Sequence, residues 1–246
     1  MEKAYKNIAV VALSGGLDSC VTAAIANKDF HLVLLHINYG QRTEKREQKA
    51  FGDIADYYGV KERMIIDLRH LAKIGGSSLT DFKIDVSKAG FAHKRNLPAG
   101  PRLRRGASRQ IPTSYVPFRN ANILAACVSW AEVLNAKAIF MGAVFEDSSG
   151  YPDCRPEFFK NYEELIKSGT KPETDIEIVT PVIHLTKAEI VKKGIELSAP
   201  LHLTWSCYKN EEIACGECES CALRLHGFQK AGLEDPIAYK VKPIYL

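Results

Sequence analysis

Two rhythms of apolar and polar residues alternate along this chain. Apolar-rich runs of strand length fall at 8–13, 31–37, 64–66, 138–141 and 176–179. Between them the spacing turns helical: 43–58 sets Phe51, Ile54, Ala55 and Tyr58 on one face, and 120–135 aligns Ile123, Leu124, Cys127, Val128, Ala131 and Leu134. Residues 19–26 read as a buried helix, and Thr186 followed by Glu189 is a capping-box signature opening a helix to about 197. Strands alternating with helices predict an α/β fold, a doubly wound parallel sheet. Two segments break the rhythm. Residues 75–118 carry prolines and glycines without periodicity and read as a long functional loop. Residues 201–246 carry a cysteine cluster and a short last helix, which divides the chain into an α/β domain at 1–200 and a cysteine-rich appendage at 201–246.

Between the first strand and first helix stands Ser14-Gly15-Gly16-Leu17-Asp18-Ser19. Paired glycines admit dihedrals closed to other residues and bring backbone N–H groups close to a ligand, and a helix start adds partial positive charge. That geometry binds oxyanions. The loop lacks both the GxxxxGK[ST] lysine and the GxGxxG spacing of the better-known phosphate sites. It resembles the SGGxDS loop of the PP-loop ATP pyrophosphatases, which implies ATP cleavage between the α- and β-phosphates, with Asp18 organising Mg²⁺ or the loop.

Charge and cysteine content narrow the setting. No apolar run approaches the length of a membrane span, and the first six residues lead into a strand without a secretory signal, so a cytoplasmic protein is expected. The net charge of +4 is local: Lys94, Arg95, Arg102, Arg104, Arg105 and Arg109 stand between residues 93 and 109 with no acid among them. Four of seven cysteines, Cys207, Cys215, Cys218 and Cys221, cluster as C-x7-C-x2-C-x2-C. Reduced thiolates at that spacing can converge on Zn²⁺, with an iron–sulfur cluster as the alternative. Four thiolates leave no open position, so such a zinc would be structural.

The segment Ser149-Gly150-Tyr151-Pro152-Asp153-Cys154-Arg155-Pro156-Glu157-Phe158-Phe159 follows the fourth strand, at the ligand-binding edge of such a sheet. Asp153 and Glu157 could accept from a purine-like ring, and Arg155 could pair with a carboxylate or phosphate. A turn followed by an acid-enriched helix start is the plainer reading.

Taken together, the SGGLDS loop, Tyr39-Gly40-Gln41-Arg42, Ser77-Ser78-Leu79-Thr80, Val116-Pro117-Phe118-Arg119-Asn120, 146–155 and the cysteine cluster resemble the 7-cyano-7-deazaguanine synthase family over nearly the whole chain. The resemblance implies ATP-dependent conversion of 7-carboxy-7-deazaguanine and ammonia to the nitrile through acyl-adenylate and amide intermediates, with Mg²⁺ and a homodimer. It implies ATP contact for Leu13, Ser14, Gly15, Gly16, Leu17, Asp18, Ser19, Cys20, Val21, Thr22 and Ala23, and zinc ligation by the four cysteines. Arg119, Asn120, Asp147, Tyr151, Asp153 and Arg155 are implied near the substrate, and catalysis is expected from Ser14, Asp18, Ser19, Arg119, Asp153 and Arg155. His36 is expected near adenine or in the core, and Gln41 and Arg42 in the site or at the next helix cap.

The chain departs from the family pattern where Phe118 replaces a usual glycine, and in a longer, more basic segment after Thr80. These departures bear on the acceptor and keep in view a related enzyme adenylating a deazaguanine carboxylate for another amine such as a protein amino group and a PP-loop enzyme acting on tRNA through the basic run; an inactive nucleotide-sensing module is a separate alternative.

Overall fold

A computed structural model describes residues 7–89, 111–145 and 150–245. Five parallel strands form one sheet: β1 (Ile8–Ala12), β2 (His31–Asn38), β3 (Arg63–Asp67), β4 (Ala138–Met141) and β5 (Glu177–Val179). Their order is β3-β2-β1-β4-β5, so the winding reverses at β1. Ligands bind at such a switch point, beyond the carboxyl ends of the strands.

The helices are α1 (Leu17–Ala26), α2 (Glu44–Tyr57), α3 (His70–Ile74), α4 (Arg119–Leu134), α5 (Pro156–Gly169), α6 (Lys187–Glu196) and α7 (Glu219–Ala231). The pleat of β1 explains why its whole run is apolar. Ala9, Val11 and Leu13 face a core with Cys20 of α1, Phe51 of α2, Ile190 of α6 and Phe228 of α7. Val10 faces the other way, into a core with Leu124 and Cys127 of α4 and Phe159 and Ile166 of α5. Buried on both faces, the strand has no polar side to show. The capping box at α6 is present, with Thr186 and Glu189 each bonding the other's backbone N–H.

The doubly wound parallel sheet is as the sequence predicts; the short helix α3 is an addition to that reading. The C-terminal segment packs directly on the α/β core: Leu201 and Phe228 join the β1 cluster, and the Trp205 N–H donates to the Gly15 carbonyl at 2.8 Å. The basic run, Asp147 and the rest of 146–149 lie outside the described residues. What is described of 75–118 is anchored rather than loose. Ser77 and Ser78 are fully buried, and the Ser78 N–H donates to the Thr113 carbonyl at 2.8 Å. Further along, Ala89 N–H donates to the Glu217 carbonyl at 2.9 Å. Arg42 holds this stretch, donating to the carbonyls of Ser78, Asp81 and Ile84 at 2.6, 2.9 and 2.7 Å. That tether, rather than a helix cap, is what Arg42 does here.

Candidate functional site

The SGGLDS loop crosses from β1 to α1 at the switch point, and its glycines have different reasons to be glycine. Gly15 has a φ of +83°, and a Cβ there would meet the Glu47 carbonyl oxygen at 2.7 Å and the Ala50 Cβ at 2.9 Å. Gly16 is ordinary extended backbone with a φ of −81°, so the expectation of unusual dihedrals at both positions holds only for Gly15. A third glycine, which the sequence reading passed over, presses the helix start against β4: a Cβ on Gly142 would lie 2.7 Å from the Ser19 nitrogen. No side chain caps α1. Its first-turn residues Leu17, Asp18 and Ser19 line a cavity, which leaves orphan N–H groups and the positive end of the helix dipole for an anion. Meanwhile the hydroxyls brace the turn: Ser14 Oγ lies 3.0 Å from Ser19 Oγ and accepts from Gly16 N–H at 3.2 Å, and Ser19 Oγ lies 3.0 Å from the Gly16 carbonyl.

Among the predicted residues, Leu13, Ser14, Gly16, Leu17, Asp18, Ser19, Arg119, Asn120 and Tyr151 all line this one cavity. Others are placed elsewhere. Cys20, Val21, Thr22 and Ala23 are buried along α1 behind the loop, because helical periodicity carries them into the core. Gly15 backs onto α2. Asp153 is buried behind the cavity wall, where one carboxylate oxygen accepts from the Asn120 N–H at 2.9 Å and steadies the start of α4. Arg155 is exposed at the start of α5, outside the lining. Cys154 also lines the cavity, but burial pushes its thiol up to about 11, which removes it as a thiolate nucleophile near neutral pH. His36 belongs to the core: its Nδ1 lies 3.0 Å from the Leu13 carbonyl, its ring packs on Phe51, and burial lowers its pKa so that it is neutral. Phe118 is 61% exposed and absent from the cavity lining. It stands at the N-cap of α4 with a φ of +56°, which explains why glycine suits that position.

Lys187 is the functional candidate that sequence reasoning missed. It opens α6 and reaches back to the loop, its Nζ 2.5 Å from Asp18 Oδ2 and the residue 8% exposed. Gly227 of α7 leaves it room, since a Cβ there would sit 2.7 Å from the Lys187 Cβ. The lysine absent from the loop's own sequence is thus supplied from a distant helix. Asp18 Oδ1, by contrast, is buried without a hydrogen-bond partner.

Opposite the loop sits Arg119, deep in the cavity wall yet partly open to it. Its guanidinium stacks over Tyr39 and Tyr151 at 5.5 and 5.9 Å and donates to the Tyr39 hydroxyl at 3.2 Å, while its Nε is buried and unpartnered. Burial drives the Tyr39 hydroxyl up to about 12 and raises Tyr151 and Tyr208 as well, so these phenols are neutral and do not cancel the charge. Burial raises the Asp153 and Glu47 carboxyls above their ordinary values, with the nearby Arg119 charge only partly opposing it, and neither carboxylate forms an ion pair with Arg119. A charged fork is left facing the cavity.

The cysteine cluster builds the remaining wall. All four Sγ atoms lie within 4.8 Å of one another. A tetrahedral zinc with bonds of about 2.3 Å holds its sulfurs about 3.8 Å apart, so the set is compatible with one metal ion. Backbone N–H groups of Lys209, Asn210 and Cys215 donate to Cys207 Sγ, and those of Glu217 and Cys218 to Cys215 Sγ. Such donors favour thiolates. The cluster fixes Trp205, Ser206 and Tyr208 beside the loop, all three in the cavity lining. From there Tyr151 donates to Ser114 at 2.9 Å and Ser114 to Glu219 at 3.1 Å, tying the substrate-side wall to α7.

A doubly wound sheet that presents an uncapped SGGLDS loop and a distant lysine to a charged cavity defines an α/β protein of the PP-loop class. More narrowly, the chain belongs to the QueC family: the family model described as queuosine biosynthesis protein QueC matches residues 8–232. Relatives agree. A protein of Chloroherpeton thalassium is 57% identical over 239 residues, covering 97% of this chain and 99% of that one, and one of Chlorobium phaeobacteroides is 55% identical over the same spans. Both are named 7-cyano-7-deazaguanine synthase. Among solved structures, the U34-tRNA thiolase NcsA from Methanococcus maripaludis has a TM-score of 0.45 at 14% identity, covering 80% of this chain and 59% of that one. That likeness is too low to bear on substrate. Among the described residues, no helix is long and apolar enough to cross a membrane.

Proposed function

We propose that this chain makes 7-cyano-7-deazaguanine from 7-carboxy-7-deazaguanine and ammonia, consuming two ATP and releasing AMP and pyrophosphate. The observation that carries the reading is Arg119, an enclosed guanidinium with no carboxylate in ion-pair contact among the described residues, lining the same cavity as an uncapped anion-binding loop. One feature suits a substrate carboxylate, the other a polyphosphate.

A carboxylate is a poor acyl donor. In the first half, a substrate carboxylate oxygen attacks the α-phosphorus and pyrophosphate departs into the loop, where the N–H groups of α1, Ser14, Ser19 and Lys187 receive its charge. Ammonia then adds to the acyl carbon, AMP leaves and a proton is lost, which yields the amide. In the second half the amide oxygen attacks a second ATP in the same way. Loss of AMP and protons from the activated amide leaves the nitrile. Arg119 serves both halves by holding the reacting group in line with the α-phosphorus, an effect of alignment. Asp18, with one oxygen on Lys187 and the other orphaned, is the residue suited to hold Mg²⁺, which would neutralise the departing pyrophosphate. Cys207, Cys215, Cys218 and Cys221 would hold a structural zinc whose role is to keep Trp205 and Tyr208 in the wall.

The test is direct. Incubating the protein with Mg-ATP, ammonium and 7-carboxy-7-deazaguanine should give nitrile by mass, with two AMP formed per nitrile. Loss of the carboxylate with neither amide nor nitrile appearing would refute the assignment, and an adduct on an added amine or tRNA would replace it.

A further inference from the structure

Two opposite charges line this cavity without meeting. Arg119 faces it from α4 and Glu47 from α2, close enough for each to bias the other yet not paired. Among the described residues, Glu47 has no cation in ion-pair contact, although it is enclosed deeply enough for burial to raise its pKa. Opposite charges left apart in a shared low-dielectric space are costly in the empty protein, and a ligand that bridges them removes that cost.

Glu47 is also held in a defined orientation. Thr43 Oγ1 donates to its Oε1 at 2.7 Å and Gln41 Nε2 to its Oε2 at 3.1 Å. Gln41 is fixed in turn, its Oε1 accepting from the Tyr39 N–H at 2.8 Å. A carboxylate offers about four acceptor positions, two on each oxygen. One internal donor per oxygen leaves one acceptor on each, side by side: a two-pronged acceptor.

We propose that Glu47 reads the two-donor edge of the bound base, the ring N–H and the adjacent exocyclic amine of a 2-amino-4-oxopyrimidine, while Arg119 holds the carboxylate at the other end. This rests on the function proposed above and adds the residue that selects a guanine-like ring over an adenine-like one. An adenine-like edge pairs a donor with an acceptor, and that acceptor would face a carboxylate oxygen with no proton between them. Ammonium is the other species a carboxylate could attract here, and the neighbouring Arg119 disfavours it.

Calorimetry on the full chain, with a non-hydrolysable ATP analogue present, tests this by titrating 7-carboxy-7-deazaguanine and its analogue lacking the 2-amino group. Wild type should bind the parent compound about tenfold or more tightly than the analogue. Glu47→Gln should weaken the parent by about tenfold to a hundredfold, nearly erase the preference between the two, and leave binding of the ATP analogue alone unchanged. A variant that binds the parent as wild type does, or that loses the ATP analogue instead, overturns the assignment. Should Glu47→Gln not fold, the wild-type pair of titrations still decides, because equal affinity for the two compounds overturns it. If wild type binds neither compound, the proposed function itself falls; if it binds both equally, only the role of Glu47 does.

Discussion

Arg224 and Arg119 line the same cavity, and both guanidinium groups are deeply enclosed, but they are treated in opposite ways. Arg224 is 2% exposed and holds Asp235 through two bonds at 2.8 and 3.0 Å, with Thr204 Oγ1 at 2.6 Å and the Leu201 carbonyl at 3.2 Å. Among the described residues, Arg119 makes one hydrogen bond, to the Tyr39 hydroxyl, and its Nε is unpartnered. The first is a staple that binds α7 to the 201–206 segment. The second is enclosed with phenol rings but with no carboxylate in ion-pair contact among the described residues, which is what a site pre-organised for an anion looks like.

The largest expected effect lies on the staple's side. Cys218 stands at the N-cap of α7 and Cys221 lies within it, so the cysteine cluster and Arg224 stabilise one unit. Removing the metal with a chelator, or Cys215→Ser, should lower the melting temperature by about 10 °C or more, read alongside zinc content. An unchanged melting temperature with no metal bound would refute the tetrathiolate site. Next comes Asp235→Ala, which strands a buried guanidinium and should cost roughly 3–5 kcal/mol in denaturant unfolding. Arg119→Met should do the reverse: melting temperature unchanged or raised, with kcat/KM falling about a hundredfold or more. If the two variants destabilise equally, the contrast between staple and site is broken.

Much of this arrangement is legible in the sequence, and the reasons it stops are physical. Glycines, hydroxyls and apolar runs act locally, so the loop, the sheet and the cysteine cluster can be read from spacing alone. Lys187 looks like the first residue of a well-capped helix, because only tertiary packing brings it to Asp18 from 169 positions away. Glu47 is hidden for a related reason: it belongs to the polar face of an amphipathic helix, and periodicity cannot tell a face toward solvent from one toward a cavity. Asp153 and Arg155 stand two positions apart with opposite charges, and the turn before α5 buries one against Asn120 and exposes the other.

A smaller effect sharpens the comparison from the opposite charge. Burial raises the Glu47 pKa above 4.5, so the folded chain binds that proton more tightly than the unfolded one. The stability it contributes is therefore complete below the unfolded value and lost as pH rises through the folded one. Glu47→Gln should raise the melting temperature at neutral pH, with the gain shrinking as pH falls toward 4.5. A gain that is constant across pH would mean the carboxylate is not the cause. The smallest effect belongs to Phe118, whose ring meets Phe158 edge-on at 6.3 Å outside the cavity. Phe118→Gly relieves a left-handed backbone but loses that contact, so stability should change by less than about 1 kcal/mol, whereas Phe118→Val should cost more because branching clashes at positive φ.

The central claim, that Arg119 is kept unpaired for the substrate's carboxylate, is tested most directly by calorimetry of 7-carboxy-7-deazaguanine and its 7-methyl counterpart against wild type and Arg119→Met. The account predicts that wild type strongly prefers the carboxylate, that Arg119→Met loses the preference, and that both bind the ATP analogue equally. An Arg119→Met protein that still prefers the carboxylate would contradict it.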